Sequence, residues 1–269
     1  MRVETAPVSS DTQASGQAKI VRRVQWRWLW LLAVTPALRF LIIRFSVPTG
    51  QPWRTSCLRC AAPLHPAGAG WWTLSPAGRC GRCRQRLGAP AGAVEVYTAA
   101  AVTVAVYSSP EVLVAAAAVW WVLCAVPLTF VDMAVHRLPT SLTYAAAAGV
   151  FLLLGGAAAI SGQWSPWVSA LLSGALAALV FLGLAMVPAG RGIGLGDVKL
   201  VLGVAGLPGW WGWGTAFGTV FVAFLLLGVT GVVLLATGRA TRQTQIPYGP
   251  QLIASTMGML ALLAFFGSA

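Results

Sequence analysis

The sequence predicts an all-α polytopic membrane protein with about eight transmembrane helices and one small, cysteine-rich cytoplasmic insert. Of its 269 residues, 58% are hydrophobic and only 9% are charged, whereas a soluble domain carries about 25% charged residues. The mean hydropathy is +0.77, and apolar stretches recur at lengths near the roughly 20 residues that a helix needs to cross a bilayer. Four of the five cysteines fall together in the one sizeable polar stretch.

The chain divides into four regions. Residues 1–25 are polar and rich in Ser, Thr, Gln and Ala, which predicts a disordered tail. Residues 26–45 contain the first transmembrane helix, in which Arg39 is expected to face an interface or the bundle interior. Residues 46–92 form a polar insert too small to build a hydrophobic core unaided. Residues 93–269 form the transmembrane core, with apolar segments at about 93–108, 111–131, 141–160, 167–188, 197–211, 214–237 and 248–267.

Basic residues predict the orientation of the chain. Alternate loops of the core contain Arg, and the turns between them contain neither Lys nor Arg. The basic loops lie near 132–140, 189–196 and 238–247. By the positive-inside rule these loops and the insert are cytoplasmic and both termini lie outside, although four basic residues in the N-terminal tail argue against that placement of the N-terminus.

The formal net charge of +12 comes from arginines in the tail, the insert and short loops. Such basic stretches attract anionic membrane lipids. No nucleic-acid-binding motif accompanies them. The sequence therefore predicts membrane lipids as partners and no nucleic acid.

The insert carries two Cys-x-x-Cys pairs, Cys57 with Cys60 and Cys80 with Cys83, separated by nineteen residues. This spacing is typical of a structural zinc site. Four thiolates give tetrahedral Zn2+ no open position, so the metal would stabilise the insert and take no part in catalysis. A redox dithiol or unconnected cysteines are the alternatives, and a cytoplasmic location disfavours disulfides. The sequence thus predicts a small zinc-binding cytoplasmic insert.

Acidic residues are scarce, and after residue 25 only Glu95, Glu111, Asp132 and Asp197 remain. Asp132 and Asp197 each lie where an apolar segment meets a short polar loop on the cytoplasmic side. A carboxylate near the hydrocarbon region is costly and is a candidate for function. The alternative is structural pairing, of Asp197 with Lys199 or Arg191 and of Asp132 with Arg137, and the residues alone leave both interpretations open.

A pair of neighbouring aspartates could perform hydrolysis. Two carboxyl groups within hydrogen-bonding distance share a proton, because both cannot ionise. One then activates water as a general base while the other protonates the carbonyl oxygen or the leaving amine. Gly194 and Gly196 flank Asp197 closely, and glycines allow a substrate strand to approach the carboxylate.

Several ordered motifs together resemble the type IV prepilin leader peptidase family. Gly194–Leu200 is similar to its Gly-x-Gly-Asp signature, and Asp132–Pro139 to its first aspartate motif, which ends in Leu-Pro. Ile246–Pro250 resembles the Pro-aromatic-Gly-Pro segment that opens the last helix of the family. The resemblance spans residues 40–265 and extends to the four cysteines, Arg44, Pro48 and Glu95 of the insert region.

The resemblance implies an intramembrane aspartic protease with Asp132 and Asp197 as catalytic residues. Supporting residues of the site would be Pro139, Gly194, Gly196, Lys199, Pro247, Gly249 and Pro250. The substrates implied are type IV prepilins or the pseudopilins of competence and secretion, cleaved after their basic leader at the cytoplasmic membrane face. The location implied is the cytoplasmic membrane of a prokaryote.

Many members of this family also methylate the new N-terminus with S-adenosylmethionine, a reaction tied to the N-terminal insert. The resemblance associates Arg44 and Glu95 with that insert function. This chain departs from the family pattern at Ala37–Ile43, which replaces a Gly-Ser-Phe-Leu-Asn-like stretch, and this weakens the expectation of methyl transfer. Thr140 stands where an acid or amide is usual, a departure that bears little on the peptidase because both aspartates are present.

Two other functions would use the same features differently. A proton-coupled transporter could use Asp132 and Asp197, but transporters tend to have repeated halves with sites at the midplane, and no repeat is visible here. A catalytically inactive assembly scaffold could dock a partner on the insert, and only an activity measurement excludes it. A zinc protease is unsupported, because the sequence contains no His-Glu-x-x-His motif.

Overall fold

The computed structural model describes residues 33–48, 50–64, 75–187, 194–239, 241 and 246–266. These residues form eight helices in chain order. The helices are α1 (residues 33–45), α2 (Ala93–Tyr107), α3 (Val112–Val135), α4 (Thr140–Ser161), α5 (Trp164–Ala185), α6 (Leu195–Gly206), α7 (Trp213–Ala236) and α8 (Gly249–Phe266). A short 3-10 helix, Pro208–Trp211, follows α6. Within the described ranges the only β-pairing is two isolated bridges in the insert, so the all-α prediction is confirmed.

Five of these helices, α3, α4, α5, α7 and α8, are each long and apolar enough to cross a membrane. The helix α2 is apolar but shorter, at 15 residues. The helix α6 has only 12 residues. Together with the 3-10 helix that follows it, α6 covers the predicted apolar segment 197–211. The predicted tail at 1–25 and the loop at 188–193 lie outside the described residues.

Glycine contacts fix α6 in the centre of the bundle. Gly203 faces the buried ring of Trp121 on α3, and Gly206 faces Phe151 on α4. On α5, Gly174 lies against the backbone of α6 at Leu202. None of these three positions leaves room for a Cβ atom, so the helices approach more closely than larger residues would allow. The first turn of α6, which carries Asp197, is therefore rigidly placed relative to α3, α4 and α5.

The insert is bound to α1 and α2 by Arg39. This side chain is only 2% exposed and forms a two-pronged ion pair with Glu95, with both N–O distances at 2.6 Å. Its guanidinium also donates to the carbonyl oxygens of Pro76 at 3.0 Å and Pro90 at 3.3 Å. Of the two placements expected for Arg39, an interface or the interior, the structure shows burial in the interior. Buried charges are tolerated when they are paired and fully hydrogen-bonded. Here the partners of Arg39 are two carbonyl groups of the insert and a carboxylate of α2.

Candidate functional site

Asp132 is held at the C-terminal end of α3 by the start of α8. Its side chain is 5% exposed and lies in the last turn of α3. The backbone N–H of Gly249 donates to its Oδ2 atom at 3.2 Å. A Cβ atom on Gly249 would lie only 2.8 Å from that oxygen, so a side chain there would displace the carboxylate. The glycine of the Pro-aromatic-Gly-Pro segment is thus required by the position of Asp132.

Asp197 lies in the first turn of α6 and is half-buried. Its backbone N–H donates to the carbonyl oxygen of Gly194 at 2.9 Å, which forms the first turn of the helix. A negative side chain is favoured near a helix N-terminus. Gly196 beside Asp197 and Gly249 beside Asp132 both contact Leu138, so the two aspartates occupy one region although 65 positions separate them in the chain.

Leu138 contacts both of the glycine turns that carry this region. A Cβ atom on Gly196 would lie 3.0 Å from the Cβ of Leu138, and one on Gly249 would lie 3.5 Å from its Cδ2. The Leu-Pro end of the first aspartate motif therefore packs against the turns beside Asp197 and Asp132. We call Asp132, Asp197, Leu138 and these two glycines the aspartate site. In the sequence Leu138 belongs to the Leu-Pro end of the first aspartate motif, which predicts no role for it in the site.

The nearby basic residues are engaged elsewhere. Lys199 donates from Nζ to Oγ1 of Thr140 at 3.0 Å and lies 5.6 Å from the ring centroid of Tyr144. Arg137 stacks on Trp53. Among the described residues the single ion pair is that of Arg39 with Glu95, so neither Arg137 nor Lys199 pairs with an aspartate. Arg191, the other proposed partner of Asp197, lies outside the described residues.

The contact of Lys199 with Thr140 also explains the departure at that position. Thr140 is the first residue of α4. Its hydroxyl group accepts the hydrogen bond from Lys199 that a carboxylate or amide oxygen at this position could otherwise accept. The replacement keeps an acceptor for Lys199 while removing a charge. The departure is thus accommodated locally and leaves the aspartates as they are.

Tyr248 adds a buried hydroxyl group beside the site. Its ring stacks on Phe181 with centroids 5.8 Å apart and planes 4° apart, and it packs against Phe224 at 5.5 Å. The Tyr248 hydroxyl group is buried without a hydrogen-bond partner among the described residues. It lies within range of electrostatic interaction with Asp197. Pro250 falls in the first turn of α8, where its missing N–H costs nothing. Pro247 precedes this turn, so the segment approaches the site in a restricted conformation.

The four insert cysteines form one cluster. All four sulfur atoms lie within 4.8 Å of one another, and the pairs Cys57–Cys83 and Cys60–Cys80 are both 3.7 Å apart. Tetrahedral zinc with Zn–S bonds of about 2.3 Å places its sulfurs about 3.8 Å apart. The cluster can therefore hold a metal ion, as the cysteine spacing predicted.

Each pair of cysteines lies in the same kind of turn. The N–H of Cys57 donates to Ala62 and that of Cys80 to Gln85, both at 2.8 Å. Ala61 and Arg84 occupy matching left-handed positions with φ of 52° and 59°. Burial raises the pKa of the Cys57 thiol, but hydrogen bonds from backbone N–H groups and neighbouring thiols outweigh it and lower the pKa to about 7. At Cys60 a backbone hydrogen bond from Ala62 lowers the pKa, but burial and hydrogen bonds to the other three thiols outweigh it and raise the pKa to about 11. Without a metal ion, the thiolate that binds metals is therefore favoured at Cys57 and disfavoured at its neighbour Cys60.

The structure does not pair Arg44 with Glu95, the two residues associated with the insert function. Glu95 binds Arg39 through both of its oxygens. The guanidinium of Arg44 lies 6.0 Å from the ring centroid of Phe40. Arg39, which belongs to the stretch that departs from the family pattern, is thus the residue that engages Glu95.

Comparison with curated proteins gives named relatives. The chain is 31% identical over 222 residues to the prepilin leader peptidase/N-methyltransferase of Aeromonas salmonicida, covering 78% of this chain and 71% of the relative. It is 30% identical over 233 residues to the protein of the same name from Burkholderia pseudomallei strain K96243, covering 80% and 68%. No family model and no solved structure matches the chain. The identity and coverage show that this multi-pass membrane protein belongs to the prepilin leader peptidase family of enzymes.

Proposed function

We propose that this chain is a membrane aspartic endopeptidase that removes the basic leader peptide from type IV prepilins or pseudopilins. The observation that carries the proposal is the convergence of Asp132 and Asp197. They come from different helices, the glycine turns beside them both contact Leu138, and neither forms an ion pair with the described basic residues. A structural role would have required a cation to offset the cost of burying these groups.

The reaction follows from two carboxyl groups that share a proton. The ionised aspartate takes a proton from a water molecule, and the resulting nucleophile attacks the scissile carbonyl carbon. The protonated aspartate donates to the carbonyl oxygen and, as the tetrahedral intermediate collapses, a proton passes to the leaving amine. The N–H of Gly249 holds Asp132 in place, and the missing side chain of Gly196 lets Leu138 pack against the turn that carries Asp197. The turns that carry these groups are fixed by Lys199, Pro139, Pro247 and Pro250.

The substrate class follows from the names of the relatives and from the charge pattern. Both relatives are named for prepilin leader cleavage. The positive-inside rule places the loops that bear both aspartates in the cytoplasm. The proposal is therefore cleavage at the cytoplasmic face of the prokaryotic inner membrane, with residues 93–269 as the peptidase core.

The second part of the proposal is that Cys57, Cys60, Cys80 and Cys83 bind zinc within the module at residues 46–92. The sulfur separations match those of tetrahedral zinc. A metal held by four thiolates cross-links the two turns of a segment that has only a small hydrophobic core. Its contribution would be folding of the insert, which in turn presents Pro76 and Pro90 to Arg39.

Methyl transfer is the second activity in the names of the relatives, and S-adenosylmethionine would be its methyl donor. In this chain Glu95 is fully engaged by Arg39, and Arg44 is not its partner. The peptidase is therefore the proposed function, and methylation is a separate outcome of the same experiment.

The test is cleavage of a co-expressed prepilin by the wild-type enzyme, Asp132→Asn and Asp197→Asn, followed by mass spectrometry of the mature N-terminus. Asparagine keeps the shape and the acceptor for Gly249 but cannot exchange the proton, so both variants should lose cleavage. Glu111→Gln is the matched control, because it removes an exposed carboxylate at the opposite end of α3. Cleavage retained in either aspartate variant would refute the catalytic pair.

The same spectra separate the remaining possibilities. A product heavier by one methyl group would show that methyl transfer is retained despite the altered stretch at Ala37–Ile43. An unmodified amine would mean that the chain is a peptidase alone. A wild-type enzyme that cleaves no prepilin or pseudopilin would return the transporter and scaffold interpretations.

A further inference from the structure

Arg137 joins the insert to the aspartate site. Its guanidinium carbon lies 4.2 Å from the ring centroid of Trp53, and its Nη1 donates to the carbonyl oxygen of Pro48 at 3.3 Å. Trp53 in turn packs edge-on against Phe45 of α1, with ring centroids 4.8 Å apart. A stacked guanidinium with a fixed hydrogen bond is a directional contact that lysine reproduces poorly.

The contacts continue from Arg137 into the aspartate site. The next residue, Leu138, packs against the turns of Gly196 and Gly249. The preceding residue, His136, has a left-handed φ of 52°, and its N–H donates to the carbonyl oxygen of Asp132 at 2.9 Å. Few residues other than glycine adopt such a φ without cost. The stretch that leaves the last turn of α3 at His136 and leads to Leu138 is thus stabilised by outside contacts, and Arg137 makes them.

We infer that Arg137 is a positioning residue whose contacts with Trp53 and Pro48 hold Leu138 between the two glycine turns. Trp53 lies four residues before Cys57, and Thr55 between them accepts a hydrogen bond at 2.9 Å from Leu64, on the far side of the Cys57–Ala62 turn. Through this connection and the clamp, the folded and metal-loaded insert sets the geometry of Asp132 and Asp197. The inference rests on the proposed peptidase function for its kinetic consequence, but the clamp itself is a structural statement. It makes cleavage depend on metal bound far from the reacting atoms.

The first arm of the test measures hydrogen–deuterium exchange of residues 133–139 in the purified, detergent-solubilised full chain. Exchange should be about tenfold faster in Arg137→Ala and in Trp53→Leu, because each removes one side of the stacked pair. The wild-type protein treated with a zinc chelator should show the same increase. Arg86→Ala removes an exposed arginine from the same insert and should leave this exchange unchanged.

The second arm measures prepilin cleavage. Arg137→Ala should lower kcat about tenfold with little change in KM, because a small displacement of catalytic groups slows the reaction more than it weakens binding. Arg137→Lys should recover part of the loss. The double variant with Trp53→Leu, and chelation of Arg137→Ala, should be no worse than Arg137→Ala alone, since both act through one contact.

Unchanged exchange at residues 133–139 in Arg137→Ala, or in the chelated wild-type protein, would overturn the inference. Additive losses in the double variant would do the same, because independent contacts add. A wild-type protein that cleaves no prepilin would instead refute the peptidase. The exchange measurements would then still decide whether the clamp exists, so the two failures are distinguishable.

Discussion

The aspartate site and the cysteine insert are stabilised by opposite means. In the aspartate site the described contacts are apolar and steric, with glycine turns against Leu138 and one backbone hydrogen bond to Asp132. In the insert, by contrast, a buried arginine is satisfied by a carboxylate and two carbonyl groups, and four sulfurs cluster at metal-binding distance. Polar groups are thus fully paired where they support structure and left unpaired where they are available for chemistry.

The largest expected effect tests whether the aspartates act as one unit. Asp132→Ala and Asp197→Ala should each lower cleavage by about 10⁴-fold or more, and the double variant should be no slower than either single variant. The reason is that a shared proton needs both carboxyl groups. Initial rates on a prepilin substrate measure this, and a double variant slower than both singles would show independent roles.

The next effect concerns the stability of the insert region. Arg39→Ala leaves Glu95 with an uncompensated charge in a largely buried setting, which should lower the free energy of unfolding by about 3 kcal/mol. Arg44→Ala is the control, because it removes a guanidinium of the same helix that lies 6.0 Å from the ring centroid of Phe40 and forms no ion pair with any described residue. Denaturation in mixed detergent micelles compares the two variants. Equal losses of unfolding free energy in the two variants would mean that the ion pair with Glu95 adds nothing beyond what an unpaired arginine of the same helix contributes.

A smaller effect tests the steric control of the aspartate site. Gly249→Ala should push the carboxylate of Asp132 from its position, since the new Cβ would lie 2.8 Å from Oδ2. A misplacement of this kind should slow cleavage about 100-fold while the protein remains folded. Gly258→Ala on the same helix is the matched control, because a Cβ there meets no atom within 4 Å. Equal rates for the two variants would contradict the steric role.

Part of this architecture could be predicted from the sequence because the relevant signals are local. The two Cys-x-x-Cys turns predicted the sulfur cluster, and the apolar segments predicted the helices. The alternation of basic loops placed Asp132 and Asp197 at the same end of the bundle. In each case a short stretch of chain carries the whole signal.

Other features depend on contacts between distant segments, and the sequence does not show what those contacts are. Leu138 is an ordinary apolar residue until α6 and α8 bring their glycines against it. The unpartnered hydroxyl of Tyr248 becomes visible only once Phe181 and Phe224 fix its ring. From the sequence, Asp132 was one possible partner of Arg137, because the two side chains have opposite charges. In the structure the flat face of the Arg137 guanidinium stacks on Trp53 instead.

The ion pair of Arg39 has a consequence for the order of events during synthesis. Arg39 precedes Glu95 by 56 residues, so it emerges from the ribosome well before any of its acceptors. Until Pro76, Pro90 and Glu95 follow, the first helix carries an arginine that the lipid interior disfavours. The guanidinium of Arg39 therefore gains its full set of partners only after the insert and the start of α2 have been synthesised.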